Sequence, residues 1–349
     1  MIKKPWEEPV PTLRDRVTAM FVGGAIGDAL GVPVETMTEE KIAAGPGRFT
    51  DYLDPKGHKW YDGWPKGHWS DDTQLRLTIA ESLAIYKRIY MEDLAARHLL
   101  ASHETMVGWG GSTREATARL QAGIHWAAAG TTARKGTKRG KGNGVAMKVD
   151  PVGAWIFATL GKDPNEIYRL KDSIRNIAIM THRTDMAIAS ALAHVAAIQA
   201  ALDDSVWNKD FADRVTRAAY IGERSMGLQQ NYDETDFLSE RLAKLRMFQH
   251  CGPLSNADIR KHFGDGSSYV YESLPVAYAF YLGNIRSIDS LYNAIYFGGD
   301  TDTVASIVGS LLGAKNGMKV FPKHLIDGLW RKERIFEVAN KFCDAFGIN

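Results

Sequence analysis

The sequence predicts an all-α fold on three observations. Apolar residues recur every three to four positions along most of the chain, sustained period-two stretches are nearly absent, and strands do not alternate with helices. The first helix is read over residues 13–30, where Leu13, Val17, Met20, Phe21, Gly24 and Ile26 fall near one side and Gly31-Val32-Pro33 ends the run. After a loop rich in glycine, proline and aromatic residues, Ser70 stands where it can cap a helix over 71–87. Leu75, Leu77, Ile79, Leu83 and Ile85 supply its apolar faces. Ser112 and Glu115 have capping-box spacing ahead of a helix from Ala116 to Trp126. Further helices are read at about 91–101, from Val145, and at 163–179, 184–202, 208–226, 235–249, 270–282, 287–296, 302–315 and 331–345. No internal repeat and no long linker interrupts them, so the chain is read as an extension over 1–12 and one domain over 13–349.

Composition narrows the class. Of 349 residues, 45% are hydrophobic and 24% charged, which excludes a disordered or fibrous chain. The 43 basic and 41 acidic residues leave a net charge of +2, without the basic excess expected of a nucleic-acid binder. The start of the sequence has no apolar signal-like core, and no segment nears 18 unbroken apolar residues. A cytoplasmic protein with no membrane partner is therefore expected. Cys251 and Cys343 form no CxxC pair, so neither a disulfide framework nor a thiolate metal site is expected.

The chemistry concentrates where helices begin or end. Gly298-Gly299-Asp300-Thr301-Asp302-Thr303 packs two acids and two hydroxyls against an apolar helical run, Val304 to Ala314. A carboxylate there must cap the helix or meet a cation, because an unpaired buried charge costs several kcal/mol. Far upstream, His68-Trp69-Ser70-Asp71-Asp72-Thr73 repeats the pattern, and it too can be read as capping alone. Together, Ser70, Asp71, Asp72, Asp300, Asp302 and Thr303 offer oxygen donors with no His or Cys pattern. Such a set suits hard cations, Mg²⁺ or Mn²⁺, and its four carboxylates are enough for two ions. Glu35, just past the Gly/Pro stop, is placed to reach a cleft as an acid or base, or simply to face solvent. Glycines 23, 24 and 27 read as helix-packing contacts.

Two further loops are candidates for substrate contact. Thr131 to Gly144 carries five basic residues and four glycines, and Gly142-Asn143-Gly144 can offer backbone N–H groups to a phosphate at a helix start. Thr181-His182-Arg183-Thr184-Asp185 precedes an alanine-rich helix. His182 there is either a ligand contact or a satisfied turn residue.

In these residues the chain resembles the ADP-ribosylglycohydrolases, over about residues 14–345. The resemblance rests on Gly27-Asp28-Ala29-Leu30-Gly31-x-Pro33-x-Glu35, Ser70-Asp71-Asp72-Thr73, Gly142-Asn143-Gly144-x-x-Met147, Thr181-His182 and Gly298-Gly299-Asp300-Thr301-Asp302-Thr303-Val304-Ala305, five motifs in order. It implies a compact single-domain orthogonal helix bundle with two Mg²⁺ or Mn²⁺ ions held by Ser70, Asp71, Asp72, Asp300, Asp302 and Thr303. It also implies that the ions bind the ribose beside the scissile bond, with Glu35 or Asp72 handling the proton. Gly142, Asn143, Gly144 and Met147 are similar to the family's phosphate loop, and His182 to a cleft-lining residue. Tyr269, Val270 and Glu272 lie in a more weakly similar segment. Two positions depart from the family pattern: Ser70 stands where Thr is common, and Lys148 where Arg is common, which loses a bidentate fork.

The implied reaction is hydrolysis of the glycosidic bond between ADP-ribose and an acceptor. The acceptor is a protein side chain, arginine slightly favoured, or a small molecule; nucleic acid enters only as an ADP-ribosylated substrate. The competing reading is a non-hydrolytic ADP-ribose-binding or crystallin-like structural protein, which the intact Asp71, Asp72, Asp300 and Asp302 oppose. A terpene-synthase-like lyase needs an acid where Leu75 stands, and an HD-type phosphohydrolase needs a His-Asp pair that the chain lacks. Acceptor choice is expected from Lys56 to Gly67, with Trp60, Tyr61 and Trp64, or from Gln229 to Asp265.

Overall fold

The helix pair that carries Asp28 and Asp302 packs backbone to backbone. In Leu13–Gly31, glycines 23, 27 and 31 recur every four residues and so share one face, as do Ala305, Gly309 and Gly313 in Thr301–Asn316. A Cβ built on Gly27 would stand 2.0 Å from the Ala305 carbonyl oxygen, and one on Gly309 would stand 2.0 Å from that of Gly23. Only hydrogen fits at these contacts. The packing role read for the glycines therefore holds, and the two helices are locked in register.

This computed structural model describes residues 10–133, 139–206, 208–227, 237–249 and 253–349. Cys251, Arg134, Lys135 and Lys138, residues 1–9 of the expected extension, and the Gln229 to Asp236 part of the acceptor region lie outside them. Helix makes up 67% of the structure and strand 2%, with eighteen α-helices among the described residues, as the all-α reading expects. The sheet described is one parallel pair of two-residue strands, Thr131–Thr132 beside His182–Arg183. This pair brings the basic loop to His182. The helices Leu13–Gly31 and Asp185–Leu202 are long and apolar enough to cross a membrane, yet both are buried inside the protein. Cys343 is buried and unpaired.

Local departures from the sequence reading have local causes. The helix expected from Val145 begins instead at Asp150, after a 3-10 turn at Ala146–Lys148, because Pro151 lacks an N–H and is tolerated only in a first turn. The Ser112–Glu115 capping box does not form. The helix starts at Gly111, the Ser112 hydroxyl accepts from the Gly140 N–H at 3.0 Å, and Glu115 pairs with Arg119. The 163–179 run is split into Glu166–Arg169 and Lys171–Thr181, where Leu170 donates to both Glu166 and Ile167 in a tightened last turn. Four short helices that the periodicity did not mark are Glu39–Ala44, Trp126–Ala129, Asn256–Phe263 and Lys323–Asp327.

Candidate active site

Ser70 caps the Asp71–Tyr86 helix, its side chain accepting from the Asp72 N–H at 3.4 Å. The turn is held from below by a residue that the sequence reading left unassigned. Asp28 lies in the last turn of the apolar first helix and is fully buried. Its Oδ1 accepts from the Ser70 N–H at 2.8 Å, and its Oδ2 accepts from the Thr73 N–H and hydroxyl at 3.0 and 2.6 Å. A lone acid inside an apolar helical run was the available signal, since a buried carboxylate requires donors.

The second acidic stretch enters through Gly298 and Gly299, at φ of 85° and 88°, which a Cβ would oppose. Asp300 occupies the N-cap position of Thr301–Asn316 but makes no side-chain cap bond. Its Oδ2 accepts instead from Asn143 Nδ2 at 2.5 Å. Asp302 accepts from the Thr303 N–H at 2.8 Å on Oδ1 and from the Tyr61 hydroxyl at 3.4 Å on Oδ2. The Thr303 hydroxyl donates to Asp72 Oδ2 at 3.2 Å and joins the two stretches. Capping thus accounts for Ser70 but not for Asp300, and of these carboxylates Asp72 is left with an unpartnered oxygen, Oδ1.

Glu35 completes the cluster. It is followed by Thr36 at φ 68°, a left-handed conformation that is rare for a β-branched residue, held by the Thr36 N–H donating to the Gly299 carbonyl at 2.8 Å. One carboxylate oxygen each from Glu35, Asp300 and Asp302 lies within 4.8 Å of the others. Glu35 Oε2 and Asp72 Oδ1 are buried without a hydrogen-bond partner. Burial, then Asp300, pushes Glu35 up to about 8; burial, then Asp28, pushes Asp71 up to about 8. Burial also raises Asp28, Asp72, Asp300 and Asp302, with neighbouring acids adding to the rise at Asp72 and Asp302. The nearest buried guanidinium, Arg76, is engaged by Asp150 at 2.5 Å. Clustered carboxylates with orphaned oxygens fit divalent cations, for which they supply hard oxygen donors.

A cleft of about 840 Å³ opens over these acids. Glu35, Asp71, Asp72, Asp300, Asp302 and Thr303 line one part, and Gly142, Asn143, Gly144, Met147 and His182 another. Ser70 sits behind this wall, 2% exposed. The glycine loop opens no helix; the Asn143 N–H donates to the Ser268 carbonyl at 3.1 Å, and Gly142 bridges to Tyr269. Tyr269 itself is not part of the cleft wall. Its ring lies 5.4 Å from that of Tyr271, packed against the core, while its neighbour Ser268 lines the cleft. Trp60, 41% exposed, stands at the wall beside the acids.

The family model for ADP-ribosylglycohydrolase matches residues 9–348. The ADP-ribosyl-[dinitrogen reductase] glycohydrolase of Rhodospirillum rubrum is 26% identical, over 89% of each chain. The ADP-ribosylarginine hydrolase Tri1 of Serratia proteamaculans is 24% identical, over 94% of this chain and 78% of that one. A solved structure described as an ADP-ribosylglycohydrolase-related protein complex shares the fold with a TM-score of 0.64 at 22% identity, covering 96% of this chain and 99% of that one. By the match along nearly its whole length, the chain belongs to the ADP-ribosylglycohydrolase family.

Proposed function

We propose that the protein hydrolyses the glycosidic bond between ADP-ribose and a modified side chain, arginine favoured, using two Mg²⁺ or Mn²⁺ ions and releasing free ADP-ribose. Family membership supports ADP-ribosyl hydrolysis in general. The observation that carries the finer reading is the acidic cluster, with its orphaned Glu35 and Asp72 oxygens, at one part of a nucleotide-sized cleft. Asp71, Asp72, Asp300 and Asp302, with the hydroxyls of Ser70 and Thr303, would hold the cations. Bound there, the ions supply positive charge that polarises a water and the ribose hydroxyls.

The chain's own groups do the rest. Asn143 orients Asp300, Tyr61 steadies Asp302, and Asp28 fixes the turn that presents Asp71 and Asp72. Glu35, with one carboxylate oxygen within 4.8 Å of those of Asp300 and Asp302, stands where an acid can deliver a proton as the bond to the acceptor weakens. The indole of Trp60 in the cleft wall is a π surface that takes cations, as Lys59 Nζ over its ring at 5.1 Å shows, and this favours a guanidinium acceptor. The Serratia relative, an ADP-ribosylarginine hydrolase, agrees with that choice.

The test is release of ADP-ribose from arginine-linked and serine-linked substrates with Mg²⁺, Mn²⁺ or chelator, for the native protein and Asp302→Ala. Turnover that survives both chelator and Asp302→Ala refutes the metal role. Faster release from the serine linkage refutes the acceptor preference.

A further inference from the structure

A buried chain of polar side chains leads away from the cleft and has no part in the reaction above. It runs His98, Lys148, Thr181, His182, and the first three are fully buried. His182 is 3% exposed and reaches the cleft wall with the edge that carries Nε2. Hydrogen-bond bookkeeping along this chain decides where its protons sit.

His98 Nδ1 faces the Leu94 carbonyl at 2.8 Å, and a carbonyl only accepts, so that nitrogen carries the hydrogen. His98 Nε2 is then a lone pair, and Lys148 Nζ donates to it at 3.2 Å. Lys148 Nζ also donates to Thr181 Oγ1 at 3.3 Å. That leaves the Thr181 hydroxyl hydrogen, which has one partner among the described residues, His182 Nδ1 at 3.0 Å. With Lys148 as the ammonium that the Asp71 carboxylate favours, Nζ has no lone pair, and a hydrogen on Nδ1 would leave the buried hydroxyl hydrogen without an acceptor. Thr181 therefore donates, Nδ1 accepts, and the hydrogen of a neutral ring is on Nε2. Burial and the neighbouring Lys148 hold His182 down to about 3, so the ring is neutral across the physiological range.

The geometry points to Lys148 and Thr181 as positioning residues that fix His182 as a neutral Nε2–H donor aimed at the glycine loop, where it takes an oxygen of a bound phosphate or ribose. Gly144 leaves room for that edge, since a Cβ there would stand 3.0 Å from His182 Cε1, whereas one on Gly142 would make ordinary contact with Nε2 at 3.6 Å. A lysine suits this junction because its Nζ is a compact multiple donor, whereas a planar guanidinium fork would not converge on an imidazole nitrogen and a hydroxyl in the same way. The ligand assignment rests on the ADP-ribosyl hydrolase reading; the proton assignment does not.

The experiment uses the full chain with ¹⁵N-labelled histidine, comparing native protein, Thr181→Val and Thr181→Ser. In the native protein, His182 is expected with Nε2 protonated and Nδ1 in the position of a nitrogen that accepts a hydrogen bond. Thr181→Val keeps the shape and removes the hydroxyl. The Nδ1 resonance should then move to that of a non-bonded nitrogen, and ADP-ribose should bind about tenfold more weakly. Thr181→Ser should restore both. A protonated Nδ1 in the native protein, or an unmoved Nδ1 in Thr181→Val, overturns the assignment. If Thr181→Val fails to fold, the native and serine spectra still decide it. If the nitrogen signature appears as expected while ADP-ribose binds none of the three proteins, the functional reading fails and the proton assignment stands.

Discussion

Asp28→Asn keeps the shape of a buried side chain and removes its ability to accept on both oxygens, so its effect can be worked from three bonds. The native carboxylate takes the Ser70 N–H on one oxygen and the Thr73 N–H and hydroxyl on the other. An asparagine amide can serve one side only. If its oxygen keeps Thr73, its NH₂ faces the Ser70 N–H, and a buried donor is orphaned at a cost of about 1–3 kcal/mol. The two remaining bonds fall from charge-assisted to neutral strength, about 1 kcal/mol each. Relief of repulsion with Asp72 offsets part of this, since Asp28 is the leading charged neighbour of that residue. The net expectation is about 3 kcal/mol, a fall in melting temperature on the order of 4 °C for a chain of this length. The same change loosens the turn that presents Asp71 and Asp72, so Mn²⁺ affinity should drop about tenfold or more. Calorimetric melts and a metal titration measure the two effects. A variant that melts within 1 °C of native and binds Mn²⁺ within twofold would refute the claim that Asp28 builds the site.

Other perturbations probe different layers. Gly27→Ala drives a methyl into the Ala305 carbonyl and should cost about 3 kcal/mol or more in chemical denaturation. Arg76→Met leaves Asp150 without its guanidinium partner in a wholly buried pair and should cost about 3–5 kcal/mol, read in the same assay. Without divalent metal, stability should fall as pH rises from about 5 to 8. Glu35 and Asp71 are raised to about 8 in the fold, so in that window the unfolded chain binds fewer protons than the folded one, and deprotonating the cluster is unfavourable. Adding Mn²⁺ should reverse the trend, because the cation takes the deprotonated ligands; melts across pH with and without metal check it.

How much of this was legible in the sequence depends on how local the deciding interaction is. The Ser70 cap was legible because a hydroxyl followed by two acids satisfies its own helix start. The acidic set was legible as a chemical type, since oxygen donors at two helix starts signal a hard cation wherever they meet. Asp300 was not settled locally. Capping was equally available to it, and what excludes capping is Asn143, more than 150 residues away in the chain. Ser112 failed for the same reason, its hydroxyl being claimed by Gly140 through tertiary structure. Tyr269 was named only through a weakly similar segment, and the structure uses its backbone, as the partner of Gly142. The hydrogen bonds that join the series behind His182 were not legible, because His98, Lys148 and the Thr181-His182 pair share neither a spacing nor an element.

The locked contact between Leu13–Gly31 and Thr301–Asn316 also sets when the two halves of the acidic cluster meet. A chain emerging from the ribosome displays Glu35, Asp71 and Asp72 long before Asp300 and Asp302 exist, and Thr303 must then reach Asp72. The early acids are a repelling group with no partner surface until the late helix slides its glycines against the first. The acidic cluster is therefore complete only once the fold is. A truncated or stalled chain ending before that helix would display half a ligand set and hold no ion tightly.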